Sequence, residues 1–178
     1  MTPDDVIDFW IAAGESRWFT RNAVFDGQIS VRFKEALAQA RDGAFDHWAQ
    51  TPRGMLALIL MLDQFSRNIH RGSPLAFAAD KKALALARQA VSRGDHLAFP
   101  APLAMWFIMP FEHAEDLDAQ RRCVALFTVR DPNDMVYWAR LHLDIIERFG
   151  RFPHRNAILG RTSTPEELAF LAAGGFKG

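Results

Sequence analysis

Proline placement constrains this chain more than any other feature. Five of its nine prolines directly follow a residue able to cap a helix: Thr2-Pro3, Thr51-Pro52, Ser73-Pro74, Asp131-Pro132 and Thr164-Pro165. A hydroxyl or carboxylate at the cap accepts an orphan backbone N–H, and proline at the first helical position gives up nothing there. Thr164 followed by Glu167 also has the spacing of a capping box. Gly14, Gly43, Gly72, Gly94 and Gly150 stand where the helices so begun should stop. No run alternates apolar and polar residues as a half-buried strand would. The chain is therefore predicted to be all-α, with helices near 3–13, 26–42, 52–70, 74–93, 102–108, 110–129, 132–149 and 165–173. Short links favour antiparallel helical hairpins. The clearest pairs 52–70 with 74–93, where Ala79, Ala83, Ala87 and Ala90 permit close approach. No clean internal period supports a regular array, and no linker divides the chain, so residues 1–178 are expected to form a single helical domain.

Length and composition then exclude several function classes. The 178 residues are 49% apolar, with 15 Phe and 5 Trp, enough for a large aromatic core. A formal net charge of zero gives no global attraction for nucleic acid or an anionic membrane. The longest apolar runs, 55–62 and 101–111, fall far short of the roughly 20 residues a spanning helix needs. The acidic opening Met1-Thr2-Pro3-Asp4-Asp5 does not read as a secretory signal. A single cysteine, Cys123, excludes a disulfide framework and reads as an inert core thiol. A reducing, cytoplasmic setting is expected.

Polar residues on apolar faces mark the candidate site. Read as one helix, 111–127 carries an apolar stripe through Cys123, Val124 and Phe127 that runs back into Glu112, His113, Asp116 and Gln120. Glu115, Asp118, Arg121 and Arg122 form the expected exposed face. The helix from Pro52 opens apolar all round and turns abruptly polar at Asp63, Gln64, Arg67, Asn68, His70 and Arg71. Leu56 and Leu60 are followed in line by Asp63 and Arg67, while Leu58, Leu62, Phe65 and Ile69 continue a core stripe. On the helix from Pro132, His142 sits amid the apolar face Trp138, Leu141, Ile145 and Phe149; a core histidine bonded to a carbonyl is the favoured reading. Residues 148–161 hold four arginines and a histidine with no acid, including Arg151, His154, Arg155 and Asn156, anchored by Phe149 and Phe152. Buried charge is costly unless paired, so these arginines are expected to find acids elsewhere in the fold.

Standard catalytic and nucleotide-binding motifs are missing. Glu112 and Asp116, one turn apart, can hold a hard cation only with outside help, and His113 or His142 would complete a borderline site. No metal or cofactor is predicted.

Long strings in the chain resemble a known family. Residues 62–72 (LDQFSRNIHRG), 109–116 (MPFEHAED) and 148–156 (RFGRFPHRN), with Asp8-Phe9-Trp10 and 160–167 (GRTSTPEE), are similar to the signature segments of the mainly bacterial family called domain of unknown function 924. The resemblance covers nearly the whole chain. It implies a tetratricopeptide-like α/α superhelix and no assigned activity, so it carries no catalytic residues over. Ser66 stands where the family usually has proline, and His70 where it usually has an aromatic.

Two readings of the interior charged cluster lead. One is a binding or scaffold module with a groove for a peptide or a small polar or anionic ligand. The other is a purely structural buried network. The alternative is a hydrolytic or acid–base enzyme, with Glu112 or Asp116 as base, His113 or His142 as proton shuttle, and Arg67 and Arg155 holding an anionic substrate. Glu112, His113, Asp116 and Gln120 are expected to be buried against the helix of Asp63 and Arg67. The arginine-rich turn is expected to close over them, with Arg151 or Arg155 pairing with Glu112, Asp116 or Asp63. Oligomeric state is not legible.

Overall fold

Capping chemistry places the helix starts where the prolines put them. In the computed structural model, which describes residues 1–129 and 134–177, the Thr2 hydroxyl accepts the Asp5 N–H at 3.3 Å. The Asp5 carboxylate reaches back to the Thr2 N–H at 2.8 Å, opening α1 (Pro3–Ala13). The short α2 (Glu15–Trp18) follows. Asn22 starts α3 (Ala23–Arg41), its Oδ1 accepting from Val24 N and Phe25 N. Thr51 starts α4 (Pro52–Ile59) by accepting from Gly54 N at 3.1 Å. This rod continues as a π-helical turn (Leu60–Phe65) and ends as α5 (Ser66–Ile69).

Ser73 caps only a 3-10 turn (Pro74–Phe77), so the predicted helix 74–93 is interrupted before α6 (Asp80–Arg93). A 3-10 turn (Asp95–Ala98) leads to α7 (Ala101–Ala104), another 3-10 turn (Met105–Phe107) and α8 (Met109–Glu112). Next come α9 (Leu117–Val129), α10 (Met135–Phe149), a 3-10 turn (Pro153–Arg155) and α11 (Pro165–Ala172), whose Thr164–Glu167 capping box is formed. The Asp131-Pro132 cap lies outside the described residues. No strand occurs among the described residues.

The predicted helix 110–129 is two helices, because side chains satisfy both broken ends. The Asp116 carboxylate accepts the Ala119 N–H at 2.7 Å, starting α9. Gln120 Nε2 donates to the carbonyls of Glu112 and Ala114 at 2.6 and 2.8 Å, closing α8.

The rod over 52–69 is the axis of the core: every residue from Gly54 to Ser66 is buried. Ala79, Ala83, Ala87 and Ala90 are all buried, as close packing of α6 requires. Arg67, late in the rod, meets Asp80 at the start of α6, so the two run antiparallel. Arg121 of α9 meets Glu147 of α10 in the same sense. Trp10, Phe33, Phe65 and Trp106 make an aromatic block beside the rod. A smaller cluster of Ile145, Ile146 and Phe152, with Phe149, Phe170 and Phe176, seats the last segment. The inward face of α10 is Met135, Ala139, His142, Ile145 and Ile146; Trp138, expected inside, is 43% exposed.

Candidate functional site

The π turn presents the central acid. Ser66 N–H bonds to Met61 O, five residues back, and this wider turn keeps Asp63, Gln64, Phe65 and Ser66 all buried. Such turns inside α-helices are frequent at functional sites. The Asp63 carboxylate accepts from Gln64 Nε2 at 2.6 Å and lies 2.8 Å from His113 Nδ1 and 3.1 Å from Arg67 Nη1. Burial works to raise its pKa, but the charge of Arg67 and the His113 contact win and hold it down at about 2. Arg67 also donates to the Asp63 carbonyl at 2.8 Å and forks both Asp80 oxygens at 2.9 and 3.0 Å.

His113 is held below the usual histidine range by burial and by Arg67, against the pull of Asp63. It is therefore a neutral imidazole at pH 7, donating Nδ1–H to Asp63. Arg155 donates to the His113 carbonyl at 3.0 Å and approaches Asp80 at 3.6 Å. Its guanidinium lies 4.7 Å from the Phe77 ring and 4.4 Å from the Phe152 ring. Burial, reinforced by Arg67, lowers its pKa to about 10. The aromatic faces support a cation that has left water.

Beneath this layer lies Glu112, 3% exposed. Its Oε1 is 3.5 Å from His142 Nδ1, which donates to the Trp138 carbonyl at 2.8 Å. The Glu112–His142 contact has the distance of an ion pair but not the charges. Burial, then Asp63, pushes Glu112 up to about 8, and burial pulls His142 down to about 4. Both groups are neutral at pH 7, so the contact is a neutral one. His154 is likewise held near 4 by burial and by Arg155. Four buried atoms here have no hydrogen-bond partner among the described residues: Glu112 Oε2, Gln120 Oε1, His154 Nδ1 and Arg155 Nε.

The arginine-rich turn does close over the cluster, but with partners other than those expected. Arg155 takes Asp80 and the His113 carbonyl. Arg151 forks Glu167 of α11 at 2.6 and 2.8 Å and reaches the Thr162 carbonyl. The Glu167 carboxyl, lowered to about 2 chiefly by Arg151, also accepts from Asn156 at 3.1 Å. Arg161 forks Glu115 at 2.6 and 2.9 Å, and Glu115 accepts the Phe152 N–H at 2.8 Å. Neither Arg151 nor Arg155 pairs with Glu112, Asp116 or Asp63, because those acids are already matched, protonated or elsewhere.

Three candidates lie outside the site. Asp116 is exposed at the start of α9, 3.4 Å from Arg88. Asn68 and Arg71 both donate to Asp26 and tie the rod to α3. Asp63, Gln64, Arg67, Glu112, His113, Gln120, His142, His154 and Arg155 do come together, with Arg151 and Asn156 buttressing the turn. Sequence reasoning missed Asp80 and Phe77, which look like an ordinary first-turn acid and a surface aromatic. Among the described residues, no group of three or more His, Cys, Asp or Glu is placed to hold a metal ion. None of their helices is long and apolar enough to cross a membrane.

A family model described as a bacterial protein of unknown function (DUF924) matches residues 6–175. A solved structure from Agrobacterium tumefaciens, itself titled a protein of unknown function, is 42% identical over 97% of each chain, with a TM-score of 0.92. Comparison with curated proteins finds no match.

Proposed function

The chain belongs to the bacterial family of unknown function DUF924, and from that premise we propose that it is a binding module for a small polar ligand beside the Asp63–His113 pair. The observation that carries this reading is unused hydrogen-bonding capacity. Glu112 Oε2, Gln120 Oε1, His154 Nδ1 and Arg155 Nε are buried without partners among the described residues, in a cluster that otherwise pairs Asp63, Arg67 and Asp80. A network kept only for stability uses such atoms, since each one left bare costs free energy. The cluster meets solvent at one edge, where the side chains of Arg67, His113 and Asp80 are 18%, 15% and 19% exposed. Two arginines are matched there by two aspartates, so the ligand needs polarity more than net charge. Tetratricopeptide-like hairpin stacking would supply the groove leading to this edge, and a lone buried thiol suits a cytoplasmic setting.

A thermal-shift screen of polar metabolites tests the reading. A true ligand at 100 times its dissociation constant stabilises the fold by about 2.7 kcal/mol. That shift should shrink in Glu112→Gln, which keeps the volume and changes the donor pattern. A hit that stabilises both proteins equally binds elsewhere, and a panel with no hit leaves the cluster structural.

One arrangement favours acid–base catalysis as a second reading. Asp63 orients His113 through Nδ1, leaving Nε2 as the acceptor of a neutral imidazole, which is how a general base is held. Glu112 keeps its proton beyond pH 7 and would serve as the acid. Under this reading His113→Asn abolishes turnover of a bound ligand while leaving its affinity within a few-fold.

A further inference from the structure

A concavity of about 300 Å³, separate from the Asp63–His113 cluster, lies between the 3-10 turn Asp95–Ala98, the segment 101–108 and α9. Its volume is at the lower end of known ligand pockets, roughly 300–1,000 Å³. It exists because small side chains, Ala101, Ala104 and Ala125, stand where two helical segments face each other. The floor is apolar and dry: Ala104, Met105 and Ile108 are 3%, 0% and 4% exposed. The lips are apolar too, and wet: Leu97 is 67% and Val129 88% exposed. Arg122 is the arginine of this lining, which also includes His96, and no ion pair of Arg122 with an acid occurs among the described residues.

We propose that this trough binds a straight-chain monocarboxylate of medium length, with the carboxylate on Arg122 and the alkyl chain lying toward Val129 and Leu97. From Arg122 to Val129, α9 advances about 10 Å, the length of an extended chain of roughly eight carbons. A planar guanidinium suits a carboxylate head, and covering two exposed aliphatic lips suits a tail. A protein partner fits less well. The lining is confined to one short stretch of three segments, whereas a stable interface engages roughly 20–30 residues a side.

Calorimetric titration of the full chain with hexanoate, octanoate, decanoate and 1-octanol, each below its aggregation concentration, tests the proposal. Affinity should rise about fourfold per methylene up to roughly eight carbons and then level off. Octanoate should bind at least tenfold tighter than octanol, and Arg122→Gln should bring the two together by weakening octanoate alone. Ala125→Trp, a change at an exposed position that fills the trough, should abolish both while leaving the circular dichroism unchanged. Binding indifferent to Arg122, or no binding by any amphiphile, overturns the proposal. So does self-association of the wild type that Ala125→Trp removes, which would assign the trough to a second copy of the chain.

Discussion

Replacing Glu112 by glutamine should make the protein more stable, and by an amount that depends on pH. In the folded chain Glu112 holds its proton to about pH 8, whereas its ordinary value is 4.5. Between these values the unfolded chain has released a proton that the native chain keeps, so stability falls as pH rises. The group's contribution is complete below pH 4.5 and is lost through pH 8. At about 1.4 kcal/mol per unit, the loss is about 3 kcal/mol at pH 7 and about 5 kcal/mol by pH 9. Glutamine fills the same volume and has no proton to lose. Urea unfolding at pH 4, 5.5, 7 and 9 should therefore show variant and wild type nearly equal at the acid end, with the variant's advantage widening steadily. Glu115→Gln is the contrasting case. Its pKa is lowered, with the Arg161 and Phe152 hydrogen bonds overcoming burial, so its charge is stabilising and the variant should lose stability above the ordinary carboxylate range. A Glu112→Gln difference that is the same at every pH would refute the reasoning, because it would mean the carboxyl titrates as a solvated one, and a variant that loses ground as pH rises would mean the carboxyl is charged and partnered.

Three further outcomes follow from the packing. Arg155→Ala takes the donor from the His113 carbonyl and the guanidinium from the Phe152 and Phe77 faces while leaving Asp80 its fork with Arg67, and should cost about 1–3 kcal/mol in urea unfolding, whereas Arg88→Ala, at an exposed pair with Asp116, should stay within about 1 kcal/mol. Gly54→Ala would set a Cβ 2.1 Å from the Trp48 carbonyl oxygen and should lower the melting temperature, costing about 1–3 kcal/mol or more, while Gly27→Ala, with open space around it in α3, should gain about 1 kcal/mol. Ser66→Pro gives up the Ser66 N–H bond to Met61 O and the hydroxyl bond to the Leu75 carbonyl, but the wider π turn leaves the carbonyl four residues back unbonded to this position, so the change should cost less than the roughly 3 kcal/mol of an ordinary mid-helix proline, measured by the same unfolding.

The features written locally in the chain were readable from it. Thr2, Thr51 and Thr164 cap because a hydroxyl followed by proline admits few other conformations, and the five glycines expected at helix ends all have positive φ. The misplaced polarity of Glu112, His113, Gln120 and Asp63 was also visible, since a face mismatch needs only the helical period. What escaped was set by tertiary placement. Nothing near Asp80 says that two arginines from 13 and 75 residues away converge on it. Asp116 matched the buried stripe only on the assumption of one helix over 111–127. Gln120, by serving three carbonyls, ends that helix and turns Asp116 outward. The π turn was hidden for a related reason: Ser66 stands where the resemblance puts proline, so the residue that would announce a missing i→i−4 bond is not there.

The segment 151–161 reaches back more than thirty residues to Asp80, His113 and Glu115. That has a consequence for how the chain is born. Synthesis runs from the N-terminus at roughly 5–20 residues per second. For the seconds before this segment leaves the ribosome, Glu115 lacks Arg161 and the Phe77 ring lacks Arg155. A chain released early is therefore left open at its polar centre, where proteases act on the unfolded fraction. These arginines do the work of a latch: the polar centre closes only once residues 151–161 are in place.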